Sequence, residues 1–259
     1  MHFKCIIFVI SSKGCPYDQF KELWLQHWRA NQQYLSGYAL YFLYNEPCSE
    51  SVEPEQSRSD LCFPHEETYP NPGLLLKTMD ALQYLAETGV TFDVLCRTNL
   101  SSMYNWRVFV QFVKAIHSPF YGGRKYANQH VSGCAMFMTG DIAALLLERR
   151  TSLSLDVPDD ESINKFLHAN GPKRQYPDIT SATPTNSNEI TQALSDQILH
   201  FRFYQANQNR CRSADVEMMR LFCKLYNLDN TIHRRHNAVV YLLLLCLFIC
   251  SAFVCINAR

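Results

Sequence analysis

Net charge is the first thing this sequence lacks. Its 259 residues carry 24 Lys and Arg against 24 Asp and Glu. Nucleic acids are bound largely through an excess of cations, so no nucleic-acid partner is expected. Several catalytic signatures are missing too: there is no GxGxxG, no GxxxxGKS or GxxxxGKT, no GxSxG and no HExxH. Dinucleotide, P-loop, hydrolase-elbow and zincin chemistries therefore lack their mechanical parts. The 11 Cys include no CxxC pair and the 9 His are scattered, which argues against a zinc site. No internal repeat is present, and 47% hydrophobic residues exclude collagen, coiled-coil rods and long disordered tails.

What is present begins most clearly at the C-terminus. Ala238 to Ile256 is a run of 19 residues without charge, Gly or Pro; at about 1.5 Å per residue a helix of that length spans roughly the 30 Å of a bilayer core. His233, Arg234, Arg235 and His236 precede it and only Arg259 follows. The positive-inside rule then places the N-terminal part in the cytosol, on a single-pass membrane protein. In that compartment the eight Cys before the tail read as reduced thiols. A lumenal domain would instead permit disulfides and glycosylation at Asn99-Leu100-Ser101.

The order of elements predicts one α/β domain over 1–226, with a mixed central sheet flanked by helices, a hinge with a basic cluster over 227–237, and the transmembrane helix over 238–256. Phe3 to Ser11 reads as a buried strand, Tyr17 to Trp28 as a helix with Phe20, Leu23, Trp24 and His27 on one face, and Gly37 to Tyr44 as a second strand. Asn45 to Asn71, with four Pro and seven acids, reads as a long surface loop. Asn71-Pro72 starts a helix that runs to Gly89. Thr91 to Arg97 is a third strand, and in open α/β sheets ligands bind beyond such strand ends. Phe109 to Ile116 reads as a helix, Tyr121-Gly122-Gly123 as a turn, Cys134 to Thr139 as a strand and Asp141 to Arg150 as a helix. Pro158 to Gly171 reads as a helix with acids in its first turn, Arg174 to Gln192 as a loop, Ile198 to Tyr204 as a strand and Ser213 to Leu225 as a helix, before a brief hinge at Asn227 to Thr231.

Three polar clusters carry candidate chemistry. Arg97-Thr98-Asn99-Leu100-Ser101-Ser102 lies at a strand end, where the Arg can meet phosphate and the amide and hydroxyls a sugar; a plain Asn/Ser turn accounts for it equally well. Asp159-Asp160-Glu161 crowds carboxylates, and one of them can serve as a general base; acids also simply favour a helix N-terminus. His200 and Arg202 alternate onto one face of a strand, with Arg210 and Arg212 behind, able to meet an anion jointly or to form an ordinary basic surface. Lys77 on its helix is weak evidence alone, since most helical lysines are solvated.

Taken in order, these motifs resemble the GT-A glycosyltransferases, within them the fringe and β-1,3-galactosyltransferase family and related glycosyltransferases of giant DNA viruses. The carrying residues are Glu66-Glu67-Thr68-Tyr69-Pro70-Asn71 through Lys77-Thr78, Phe92-Asp93-Val94-Leu95-Cys96-Arg97-Thr98-Asn99-Leu100-Ser101, the strand Val131-Ser132-Gly133-Cys134, and Asp159-Asp160 with Ile163. The resemblance implies a nucleotide-sugar donor, a glycan or protein acceptor, an inverting transfer with Asp160 favoured over Asp159 as base, and donor contacts from Lys77, Arg97, Asn99, Ser101, His200 and Arg202. It also implies a divalent metal, Mn²⁺ or Mg²⁺. The positions resembling the metal-binding Asp-x-Asp are however Asn99 and Ser101, poor ligands for such ions, which makes Arg97, His200 and Arg202 candidates to replace the ion. The alternative is a non-catalytic binding module of the same fold anchored at a membrane.

Overall fold

The computed structural model describes residues 1–45, 58–65, 72–126, 130–171, 177–205 and 212–231. In chain order the elements are β1 (His2–Ile10), α1 (Tyr17–Ala30), β2 (Tyr38–Tyr44), β3 (Arg58–Cys62), α2 (Pro72–Glu87), β4 (Thr91–Asn99), β5 (Ser102–Tyr104) and α3 (Trp106–Ala115). There follow β6 (Tyr121–Tyr126), β7 (His130–Thr139), α4 (Gly140–Glu148), α5 (Asp159–Asn170), β8 (Ser181–Ala182), α6 (Ser187–Ser195) and β9 (His200–Arg202). Residues 213–231 are helical and form α7.

Six strands make the main sheet in the order β3-β2-β1-β4-β7-β6. The first four are parallel, while β7 runs against β4 and β6 against β7, so the central sheet is mixed and the class is α/β. Strand β1 sits near its middle and is buried from Cys5 to Ile10, as a strand covered on both faces must be. Alternation divides its side chains. Cys5, Ile7 and Val9 pack against α1, α3, α6 and α7, whereas Ile6, Phe8 and Ile10 pack against α2, α4 and α5. A second sheet, β5-β9-β8, stands at the end of β4.

One aromatic cluster locks the two sheets together. The indole of Trp24 on α1 donates to the Leu100 carbonyl at 3.0 Å, and His27 Nε2 bonds the Tyr104 carbonyl at 2.9 Å. The α1 helix thus grips the turn between β4 and β5 from both ends. His27 lies against Trp106, Phe222 and Tyr226 and is buried.

Several expected elements need correction. Strand β3 lies inside the stretch read as loop from Asn45, paired in parallel with β2. Gly122-Gly123 is not a turn but the start of β6: a Cβ on Gly122 would stand 2.9 Å from the Pro177 ring, and Gly123 has φ +154°. The β6–β7 register shifts there, since Gly123 faces Met136 while Lys125 already faces Val131, so the glycines mark a bulge. The stretch read as loop from Arg174 holds β8 and α6, the latter capped by the Asn186 side chain on Glu189 N at 3.0 Å. Residues 227–231 are helix rather than hinge, docked by an Arg107–Asp229 ion pair and by Asn230 donating to Asn31 at 3.1 Å. Cys5, Cys96, Cys134 and Cys223 carry free thiols, but Cys62 is disulfide-bonded, against the expectation of reduced thiols throughout. Among the described residues no helix is long and apolar enough to cross a membrane; the expected span over 238–256 and the His233–His236 cluster lie outside them.

Burial pushes His27 down from 6.5 to about 4. As pH falls, the unfolded chain therefore takes the proton first. The stability that His27 contributes should be complete above pH 6.5 and lost as pH falls through about 4, a decline of ~3 kcal/mol. Denaturant unfolding between pH 7 and 4 should show this slope, and His27→Gln should flatten it; an unchanged slope would remove His27 as its source.

Candidate functional site

A cleft of about 550 Å³ opens at the C-terminal ends of β1 and β4. Ile10 and Leu74 line it on the apolar side, and Arg97, Asn99, Arg124, Lys125, Asp159, Asp160 and Arg202 bring the charge and polarity. Its floor is Ser132-Gly133-Cys134, the part of β7 that the bulge inserts opposite Arg124. A somewhat larger cavity of about 660 Å³ lies at the opposite end of the sheet, near Lys4, Phe92, Lys114 and Asp141. None of the residues expected to act lines it.

Arg97 is buried at 3% exposure. Its guanidinium donates to the Gly133 carbonyl and forms an ion pair with Asp159. Gly133 is required for this geometry, because a Cβ there would run into the Arg97 guanidinium. Asp159 is itself buried; burial raises its carboxyl above the ordinary value against the pull of Arg97. The two charges close on each other inside the protein and leave Arg97 bound within the wall of the cleft.

Asp160, one residue on, behaves differently. It is only half-buried. Its Oδ2 accepts from Gly133 N and its Oδ1 from Glu161 N, each at 3.0 Å, and it lines the cleft. The start of α5 is fixed by Asn164, whose amide exchanges hydrogen bonds with the Val131 backbone, accepting at 3.0 Å and donating at 2.9 Å. Helix geometry, Asn164 and Gly133 together aim this carboxylate at the open space.

Asn99 ends β4. Its Oδ1 accepts from the Ser102 hydroxyl at 2.9 Å and from Arg202, which β9 brings alongside because Ser102 and Arg202 are register partners. Ser101 is buried and does not line the cleft; its carbonyl accepts from Phe203 N at 2.8 Å. The pair therefore does not fit a divalent cation: one oxygen already faces a guanidinium and the other residue turns into the fold. Among the described residues no group of three or more His, Cys, Asp and Glu is arranged to hold a metal ion.

The remaining expected residues fall elsewhere. Lys77 is fully buried and its Nζ donates to the Ser11 carbonyl at 3.2 Å, securing the end of β1 from behind the cleft. His200 is fully buried beside Tyr104; burial first, then Arg124 and Arg202, hold it well below the ordinary imidazole value. It is neutral and cannot offset an anion's charge. Arg212 pairs with Asp215 and donates to the Phe203 carbonyl at 3.0 Å, and Arg210 lies outside the described residues, as do Glu66 to Asn71. Sequence reasoning missed Arg124, which donates to the Thr183 hydroxyl at 3.1 Å, together with Lys125, Tyr126 and Tyr204. The one signal available was Gly122-Gly123 just before Arg124, legible as a bulge that re-aims the next side chain.

No protein-family model matches the chain and no curated protein matches it. Among solved structures the fold is similar to a glycosyltransferase involved in the glycosylation of the major capsid of PBCV-1, with 13% identity, TM-score 0.47, and coverage of 83% of this chain and 99% of that one. It is also similar to the mannosyltransferase PcManGT of Pyrobaculum calidifontis, solved with GDP-Man and Mn²⁺, with 11% identity, TM-score 0.48, and coverage of 88% and 71%. The apo-form glycosyltransferase GlyE of Streptococcus pneumoniae TIGR4 is similar with 10% identity, TM-score 0.44, and coverage of 88% and 62%. All three are glycosyltransferases; the chemistry of the cleft stands on its own side chains.

Removing one partner of the Arg97–Asp159 pair strands a charge in the interior. Arg97→Met should cost ~3–5 kcal/mol, and the double variant Arg97→Met/Asp159→Leu distinctly less. A double-mutant cycle by denaturant unfolding checks this, and additive losses would mean that the pair does not act as a unit.

Proposed function

We propose that the protein is a glycosyltransferase that moves a sugar from a nucleotide-sugar donor to an acceptor hydroxyl on a glycan or protein. The observation that carries this reading is the juxtaposition, in one cleft at the C-terminal strand ends, of an accessible, amide-held carboxylate, Asp160, with the cationic side chains Arg124, Lys125 and Arg202. The order of sequence motifs supports it. A transfer of this kind needs a base for one proton and cations for a departing diphosphate.

In the proposed reaction the acceptor oxygen attacks the anomeric carbon from the face opposite the leaving group. The new C–O bond forms as the bond to the diphosphate breaks, the electron pair leaves with the nucleoside diphosphate, and the acceptor proton passes to Asp160. The anomeric configuration inverts because only one displacement occurs. Asp159 does not share the role: its carboxylate is held by Arg97 in the cleft wall. The hydroxyl-bearing Tyr126 and Tyr204, 65% and 58% exposed, stand at the rim, where rings can lie against sugar or base.

A C-terminal membrane anchor over 238–256 belongs to this proposal. The flanking charges favour the cytosolic side for the domain, whereas a disulfide at Cys62 is what an oxidising compartment permits.

Asp160→Asn keeps an acceptor oxygen for the Gly133 amide but removes the base. Sugar transfer across a panel of UDP- and GDP-sugars should fall about 10²–10⁴-fold while the fold is retained. Unchanged turnover in the variant would remove Asp160 from the mechanism, and no turnover of any donor by the unsubstituted protein would favour a binding module.

A further inference from the structure

Arg202 and Arg124 share an unusual electrostatic setting. Both are only partly exposed, and both are held by neutral groups: Arg202 by the Asn99 amide oxygen, Arg124 by the Thr183 hydroxyl. Among the described residues neither forms an ion pair, whereas Arg97, Arg107 and Arg212 each have a carboxylate. An amide oxygen orients a guanidinium without cancelling its charge. The cleft therefore carries two cations that are held by neutral groups and line the same open space as Asp160.

The placement of Arg202 adds to this. It lies against Asn99 Oδ1 at the end of β4, in the wall of the cleft. Arg202 reaches that atom because β9 pairs with β5 so that Arg202 faces Ser102, and Phe203 N is tied to the Ser101 carbonyl at 2.8 Å. Burial, then the neighbouring Arg212 and Arg124, lower Arg202 from the usual guanidinium value, against the opposing pull of Cys134 and Asp215.

We infer that Arg202 and Arg124 form a metal-independent diphosphate site, in which the two guanidinium groups supply the positive charge that a divalent ion would otherwise bring to the donor's phosphates. This rests on the glycosyltransferase reading for the identity of the donor, but the anion site is testable without it. Two planar guanidinium forks match the oxygens of adjacent phosphates and need no exchange of hydration shell. Asn99 is then the required residue: an aspartate would pair with Arg202 and cancel the charge.

Calorimetric titration of the purified full chain with inorganic pyrophosphate in EDTA tests the site directly. Pyrophosphate should bind, and UDP or GDP should bind within about twofold equally in EDTA and in Mn²⁺. Arg202→Met and Arg124→Met should each weaken pyrophosphate about tenfold or more, as loss of a charge-assisted contact does. Asn99→Asp should weaken it as well, and Mn²⁺ should not restore it. Melting curves on all three variants identify any that are unfolded, and the remaining ones decide. Binding that appears only with Mn²⁺, or that Asn99→Asp strengthens in Mn²⁺, overturns the inference. Donor turnover that EDTA abolishes overturns it while leaving the glycosyltransferase reading intact. Pyrophosphate binding without turnover of any sugar donor upholds the anion site and counts against that reading.

Discussion

A buried guanidinium holds the cleft together. Arg97 leaves the middle of the sheet on β4, reaches the Gly133 carbonyl on β7 and closes on Asp159 at the start of α5, so three elements meet on one side chain. Charges out of water are stable only when paired and hydrogen-bonded, and a half-removed pair is worse than none. Each partner thus constrains the others: the guanidinium needs the carboxylate, the carboxylate fixes where α5 begins, and the space taken by Arg97 allows only glycine at 133. The same glycine gives its N–H to Asp160. A structural ion pair and a cleft-facing carboxylate are consequently set by one junction, and adjacent acids in one helical turn have opposite fates.

How far this could be read from sequence depends on what each segment buries. Strands β1 and β2 are apolar on both faces over most of their length, and β4 from Val94 to Cys96, so they announce themselves, as do α1 and α2 with their single apolar stripes. Edge strands do not: β3 begins in a stretch of Pro and acids, and β6 opens on two glycines whose need for space comes from Pro177 and from β7, far away in the chain. The helix α6 hid within a polar segment because only Ile190, Ala193 and Leu194 are buried.

The candidate site divides in the same way. Position along the chain was enough to mark Asp160 and the end of β4. Burial was not legible, and burial separated the expected residues: Lys77 and His200 went inside, Arg97 became half of an internal pair, and Arg202 lines the open space of the cleft. Arg124 was missed because its place follows from a register shift, a property of two strands together. Zero net charge in sequence likewise conceals a cleft in which cations outnumber carboxylates.

The cations are also pre-set. The turn that carries Asn99 is held from one side by Trp24 on the Leu100 carbonyl and by His27 on the Tyr104 carbonyl, and from the other by Phe203 on the Ser101 carbonyl. Arg202 leans on that turn through Asn99 and Ser102. Side chains fixed before a ligand arrives need not be ordered by it, and dipoles aimed in advance at developing charge are worth more than mobile ones. A mobile ion offers adaptability that a guanidinium locked between two sheets does not. The aromatic cluster beneath the turn therefore bears on the cleft through geometry: Trp24 and His27 hold the turn on which Arg202 leans.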